Sequence, residues 1–416
     1  MTTEVDSQAK PDRSTLNELY DEKSKRGVTA IDRMDLQIHH ASLVGLKAAN
    51  EDRITVQECD LGVLIAIFDG HYTDELSSYS AKVLPQQLCD RISRNISSGD
   101  AADLSTVVEE ALVKGIEDFD ASLLDDVLKH FPQGADTDWD DPLWDDPAEV
   151  FEIIGYSRDD PVFVAARRTI VGATVLVGFI DKQKRNLWVA SLGDSEAVLG
   201  RVVDGHLRCE VLNDLHNVDN PDEVARLQAE HPNEPPVVYD GRTPGRLAIT
   251  RALGDFQMKV DLRLATRVLS YAYPSYLGTN NIEDWQRRGH LHPPYISSTP
   301  SIRRHALLPG DLLVFASDGL RLALEAVPTE DARTQSMIAL AGPELSKAAP
   351  VLMRLGTHLG HDFIDPSGDD SKIADRLIKN ALFGADAGKM AAELALTSGD
   401  TTRHRDDISV VALRVM

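Results

Sequence analysis

Two stretches of this chain run apolar and then stop at an aspartate followed by glycine. Val63-Leu64-Ile65-Ala66-Ile67-Phe68 ends in Asp69-Gly70-His71, and Leu312 to Ser317 ends in Asp318-Gly319. A short unbroken apolar run closed by a turn signal reads as a buried strand. A carboxylate at the rim of a core costs free energy unless it is hydrated, hydrogen-bonded or bound to a metal. Glycine after the aspartate lets the backbone carbonyl face the same ion. Taken singly, each Asp-Gly reads as a plain turn. Two further acidic pairs sit in like positions: Glu51-Asp52 before the strand around Ile54 to Val56, and Asp406-Asp407 before Ile408 to Val415. Acidic sites at four strand ends, offering oxygen donors only, point to magnesium or manganese rather than zinc.

The rest of the chain supplies a frame for those ends. Ile38 to Val44, Ala173 to Ile180, Leu187 to Ser191 and Ala197 to Arg201 read as further strands. Helical spacing runs from about Asp74 to Leu88 and from Val107 to Phe119, and Glu330 to Ala395 is mostly helical. Asn220-Pro221-Asp222-Glu223 is a helix start, with Asn as cap, Pro in the first turn and Glu at the third position. Strands and helices fall in blocks, which predicts an α+β chain with antiparallel sheets. Residues 1–36 read as a polar extension, helical around Leu16 to Lys25. The acidic stretch 120–160, with Trp139 and Trp144, reads as an inserted surface loop. Asp136, Asp138 and Asp140 open like a calcium loop, but Asp141 and Pro147 stand where Gly and Glu are required, so the motif fails.

A formal net charge of −24 repels nucleic acid and anionic membranes, so neither is an expected partner. Cys59, Cys89 and Cys209 are widely spaced with no CxxC pair, which argues against a disulfide framework or a zinc site and for a reducing compartment. No apolar run approaches the roughly 18–20 residues of a membrane span. Met1 to Lys10 lacks the apolar core of a secretory signal and the character of a mitochondrial presequence.

Seven short pieces, in order, carry a specific resemblance. They are Asn50-Glu51-Asp52-Arg53, Ile67-Phe68-Asp69-Gly70-His71, Gly172-Ala173-Thr174 and Leu192-Gly193-Asp194-Ser195. Leu247 to Asp255, Ala316-Ser317-Asp318-Gly319-Leu320 and Arg405-Asp406-Asp407-Ile408-Ser409-Val410 follow. Together they resemble the PPM or PP2C family of protein phosphatases over residues 37–416. His216-Asn217, the run from Asn220 to Pro232 and Pro293-Pro294-Tyr295-Ile296 are similar to pyruvate dehydrogenase phosphatase catalytic subunits.

The resemblance implies a β-sandwich of two antiparallel sheets flanked by helices, in α-β-β-α layers, with a two-ion Mg2+ or Mn2+ site at one end. Asp69 would bridge the ions. The Gly70 carbonyl and Glu51 would serve one ion, Asp318 and Asp406 the other. The ions would activate a water to attack phosphoserine or phosphothreonine in a protein substrate, and no phosphoenzyme is needed. His71 would act as general acid, against the plainer reading of a packing or surface histidine. Lys47 stands where the family usually has a phosphate-holding Arg, and lacks its planar two-toothed grip. Asp52, Asp194 and Asp407 are expected behind the ligands or at a third ion, and Arg251 and Asp255 in a structural motif.

Three departures matter: Tyr72-Thr73 follows Asp-Gly-His, Glu196 replaces an Arg, and Leu322 replaces an acidic residue of the third site. Leu322 cannot ligate an ion, so that site is expected to be absent or altered. The insertion at 260–295, with Arg287, Arg288, His290 and His292, reads as a flap shaping substrate choice or as a surface loop. The histidine pair has nothing nearby in sequence to complete a ligand set. Two competing functions are a catalytically impaired scaffold that binds phosphoproteins and a hydrolase of small phosphate esters. A monomer in the cytoplasm is expected, with mitochondria the location that the subgroup likeness brings in.

Overall fold

The computed structural model of the chain describes residues 13–97, 103–272, 280–342, 345–364, 372–397 and 405–416. Its early strands are β1 (Ser24–Ile31), β2 (Leu36–Leu43), β3 (Arg53–Cys59) and β4 (Gly62–His71). In mid-chain lie β5 (Gly172–Asp181), β6 (Asn186–Leu192), β7 (Glu196–Val203), β8 (His206–Val211) and β9 (Leu253–Gly254). β10 (Ser301–Ala306), β11 (Leu312–Ala316) and β12 (Ile408–Arg414) complete the set. One sheet runs β1-β2-β12-β11-β7-β8 and the other β10-β6-β5-β4-β3, with β9 added beside β5. Every pairing of named strands is antiparallel, as the block pattern implied.

Strand period explains the unbroken apolar runs. In β4, Val63, Ile65 and Ile67 point between the sheets, where they meet Ile38, Leu176, Val189, Phe315 and Leu413. Leu64, Ala66 and Phe68 point the other way, onto the helices Glu75–Ser97 and Leu104–Leu128 through Leu84, Leu88, Leu112 and Ile116. On the far side, Leu43, Val314, Ala316 and Val410 pack against Ile338, Leu340, Leu377 and Ile378. These come from the helices Glu330–Ala341 and Ile373–Leu382. The layers are therefore helix, sheet, sheet, helix, the fold that the family resemblance implied. Phe315 is fully buried at the centre, and truncating such a ring to Ala costs about 3–5 kcal/mol.

Three expectations are corrected. Residues 24–31 do not stand apart as an N-terminal extension. They form β1, an edge strand in register with β2 from Ser24↔Leu43 to Ile31↔Leu36. The segment 120–160 is not a loop. Asp120 lies in the helix Leu104–Leu128, 2% exposed, and its carboxylate accepts from Gly254 N and Lys259 Nζ, both at 2.7 Å. Trp144 is buried against Phe131 and Trp139. Cys59 and Cys89 are disulfide-bonded, because the end of β3 meets the helix Glu75–Ser97 and the Cα atoms lie 5.3 Å apart.

The described part of 260–295 carries two helices, Leu262–Arg267 and Asn280–Arg288, on an apolar cluster with Met258, Leu262, Trp285 and Ile296. Glu234 fastens its end, accepting from Leu291 N at 2.8 Å and approaching His292 Nδ1 at 2.7 Å. Residues 273–279 and the segment Met1 to Lys10 lie outside the described residues. Among the described residues no helix is long and apolar enough to cross a membrane.

Candidate active site

Strand register decides where the acidic residues go. β4 ends with Asp69, Gly70 and His71 opposite Thr174, Ala173 and Gly172 at the start of β5. β11 ends at Ala316, opposite Glu196 at the start of β7 and Val410 near the start of β12. Leu43, ending β2, faces Ile408, and Arg53, starting β3, faces Phe68. Glu51, Asp52, Asp69, Asp194, Asp318, Asp406 and Asp407 therefore all emerge at one end of the two sheets.

Hydrogen bonds lock that end. The Asp407 carboxylate accepts from Gly45 N at 2.6 Å and Glu51 N at 2.7 Å, pinning the loop that carries Glu51. Ser317 Oγ donates to Asp52 Oδ2 at 2.7 Å and accepts from Ser409 N at 2.9 Å, which ties β11, β12 and the Asp52 loop together. Gly319 packs so tightly on the Asp407 carbonyl that any side chain there would collide with it. Lys47 Nζ lies 2.6 Å from Glu51 Oε2 and 3.1 Å from Asp406 Oδ1. It is thus held by carboxylates, where a phosphate contact was expected of it.

The carboxylates feel one another. Burial first, then the charges of Asp52, Asp318, Asp194 and Asp406, holds Asp69 well above the usual carboxylate range. Burial and Asp406 push Asp318 up to about 6. Burial and Asp318 push Asp194 to about 8. Asp52 is raised to about 7 by burial, against the Ser317 bond, with Asp407 and Asp318 adding to the rise. Like charges crowded in a poorly hydrated rim favour a proton or a cation among them. Asp52 Oδ1 is buried with no hydrogen-bond partner.

Among the described residues no three His, Cys, Asp or Glu side chains form a ready-made ion cage. The donor chemistry still fits a hard cation. The cluster offers oxygens only, and an ammonium already sits between Glu51 and Asp406.

His71 has a partner that sequence reading did not find. Its Nε2 lies 2.8 Å from Asp255 Oδ2, and Asp255 is 2% exposed. β9 sets Gly254 opposite Gly172, which faces His71 in turn, so Asp255 arrives beside the imidazole. A side chain at Gly172 would strike both His71 Nε2 and Asp255 Oδ2. Arg251 instead binds Glu223, with Nε at 3.0 Å, and donates to the Thr299 carbonyl. Leu322 is 42% exposed. Its neighbour Arg321 places a positive charge that acts on Asp194 and on the buried Glu196, itself raised by burial to about 7.

A family model described as Protein phosphatase 2C matches residues 98–326. The chain belongs to that family. Asp194, Arg251, Asp255 and Asp318 lie inside the matched stretch, whereas Glu51, Asp69, His71 and Asp406 lie outside it. The chain is 28% identical over 381 residues to the probable protein phosphatase 2C 40 of Arabidopsis thaliana, covering 88% of this chain and 65% of that protein. It is 31% identical over 274 residues to the mitochondrial pyruvate dehydrogenase (acetyl-transferring) phosphatase 1 of Bos taurus, covering 61% of this chain and 49% of that one. It therefore spans between about half and two thirds of these two relatives. A solved phosphatase from Toxoplasma gondii aligns over 91% of this chain and 92% of its own, at 16% identity and a TM-score of 0.49.

Proposed function

We propose that this protein phosphatase 2C family member hydrolyses phosphoserine and phosphothreonine esters in proteins, using two magnesium or manganese ions. The observation that carries this reading is the gathering of Asp52, Asp69, Asp194 and Asp318 from separate segments into one group, in which burial and neighbouring carboxylates, Asp406 included, raise the carboxyls. Asp69, Glu51, Asp318, Asp406 and the Gly70 carbonyl would hold the ions. When bound, such ions supply an activated water and positive charge for the phosphoryl oxygens.

The chain's own groups do the rest. His71 donates a proton to the departing alkoxide oxygen, and the buried Asp255 carboxylate fixes the ring by taking Nε2. Nδ1 is then the atom that faces the leaving group. Lys47 supplies positive charge, but reaches a phosphate only by loosening its contact with Glu51 or Asp406. Asp407 and Ser317 keep the Glu51-Asp52 loop and the two strand ends in register. The guanidinium of Arg321 acts on Asp194 where the family resemblance would put a third ion, so two ions are expected.

The same Lys47 contacts favour a second reading, an impaired relative that binds phosphoproteins without turning them over. One assay separates the two. Turnover of a phosphothreonine peptide that needs manganese and is lost in Asp69→Asn supports the enzyme. No turnover by the parent at millimolar manganese supports the scaffold. Bos taurus pyruvate dehydrogenase phosphatase 1 is named as mitochondrial, which sets a mitochondrial location beside the cytoplasmic one.

A further inference from the structure

A groove of about 900 Å³ adjoins the acidic cluster, and Lys47, Lys82, Arg158 and Arg168 are among the residues that line it. Lys82 lies on the helix Glu75–Ser97 and Arg158 in the turn before the helix Pro161–Ile170, and both are exposed. Arg168, within that second helix, stacks 3.9 Å above the Tyr79 ring, and its Nε has no hydrogen-bond partner. The acidic residues of the same groove are already engaged. Glu75 holds Arg167 at 2.8 Å, Asp74 holds Arg53, and Glu51 holds Lys47. Among the described residues, no carboxylate is paired with Lys82, Arg158 or Arg168.

In a chain of net charge −24, three unopposed cations facing one groove attract an anionic occupant and repel a basic one. Lys47 and Glu51 belong to both the groove and the acidic cluster. An occupant of the groove is therefore continuous with a phosphate ester at the cluster. The volume admits several residues, far more than a lone phosphate ion.

We propose that this groove selects phosphoproteins in which carboxylate side chains flank the phosphorylated serine or threonine. The inference rests on the phosphatase reading and names its substrate class. Lys82, Arg158 and Arg168 are then specificity residues that touch the flanking segment and take no part in the chemistry.

The test uses the full chain with manganese and three probes. These are p-nitrophenyl phosphate, a phosphothreonine peptide flanked by glutamates, and the same peptide with glutamines. The glutamate peptide should have a kcat/KM about tenfold higher than the glutamine one, the scale that a few exposed ion pairs reach together. Raising ionic strength should shrink that ratio. The double variant Lys82→Glu/Arg158→Glu changes two exposed side chains, so folding is retained, which its unfolding midpoint checks. Its peptide preference should vanish or invert, and Arg168→Gln should lower it alone. Equal kcat/KM for the two peptides, or a preference untouched in the double variant, overturns the proposal. With p-nitrophenyl phosphate still hydrolysed, the phosphatase reading survives that result. If none of the three probes is hydrolysed, the phosphatase reading fails and this inference fails with it.

Discussion

Replacing Asp255 with Asn separates proton donation from the rest of the chemistry. Asn keeps the shape of the side chain and tolerates the left-handed backbone at this position, where φ is 51°. The Asp255 N to Val171 O bond of 3.1 Å is untouched. What is lost is the charge opposite His71 Nε2, in a bond of 2.8 Å to a carboxylate 2% exposed. A hydrogen bond to a charged group contributes about 1.5–3 kcal/mol, and about 1.4 kcal/mol is a factor of ten. Turnover of a phosphothreonine peptide, whose alkoxide needs a proton, should fall roughly 10- to 100-fold. p-Nitrophenolate leaves without one, so kcat on p-nitrophenyl phosphate should stay within about threefold of the parent. Both are measured at saturating manganese, with unfolding midpoints as the control for folding. Equal losses on the two substrates would mean that Asp255 only supports the fold. No loss on either would remove the Asp255 carboxylate from the mechanism.

Two other outcomes follow from buried charges away from the chemistry. Asp120→Ala should cost about 3–5 kcal/mol in urea unfolding, because Lys259, 8% exposed, loses its anion. A cost under about 1 kcal/mol would show that this pair does not anchor the Gly254 turn. His216 is 1% exposed, its Nδ1 accepts from Gly193 N, and burial lowers its pKa to about 4. The unfolded chain takes up that proton near 6.5. Stability from this group is therefore whole above about pH 6.5 and declines as pH falls toward 4. Between pH 7 and 4.5, His216→Gln should remove about 2–3 kcal/mol of the parent's acid destabilisation. An unchanged difference between the two pH values would refute it.

The parts of this chain that could be read from its residues are those buried on both faces. β4, β5, β11 and β12 announce themselves because each side of the strand meets apolar material. The strands that escaped reading are the two-residue β9 and β1, β8 and β10, and the last three are edges of their sheets. They carry exposed polar residues, as Arg303 and Arg304 in β10 illustrate, and polarity at an edge guards against stray pairing. Asp69 and Asp318 were legible because each interrupts an apolar run. The His71–Asp255 contact spans 184 residues and exists only because β9 joins β5. The cationic groove draws on separate segments whose residues share no motif, so only folding brings them together. Asp120 read as surface acid for the same reason: its two partners lie more than a hundred residues away.

The most direct check is a crystal grown with manganese and recorded for anomalous scattering. Two peaks are expected, flanked by Asp69 and shared out among Glu51, Asp318, Asp406 and the Gly70 carbonyl, with none between Asp194 and Leu322. Manganese density elsewhere, or an acidic rim that stays metal-free at millimolar manganese, would contradict the two-ion account.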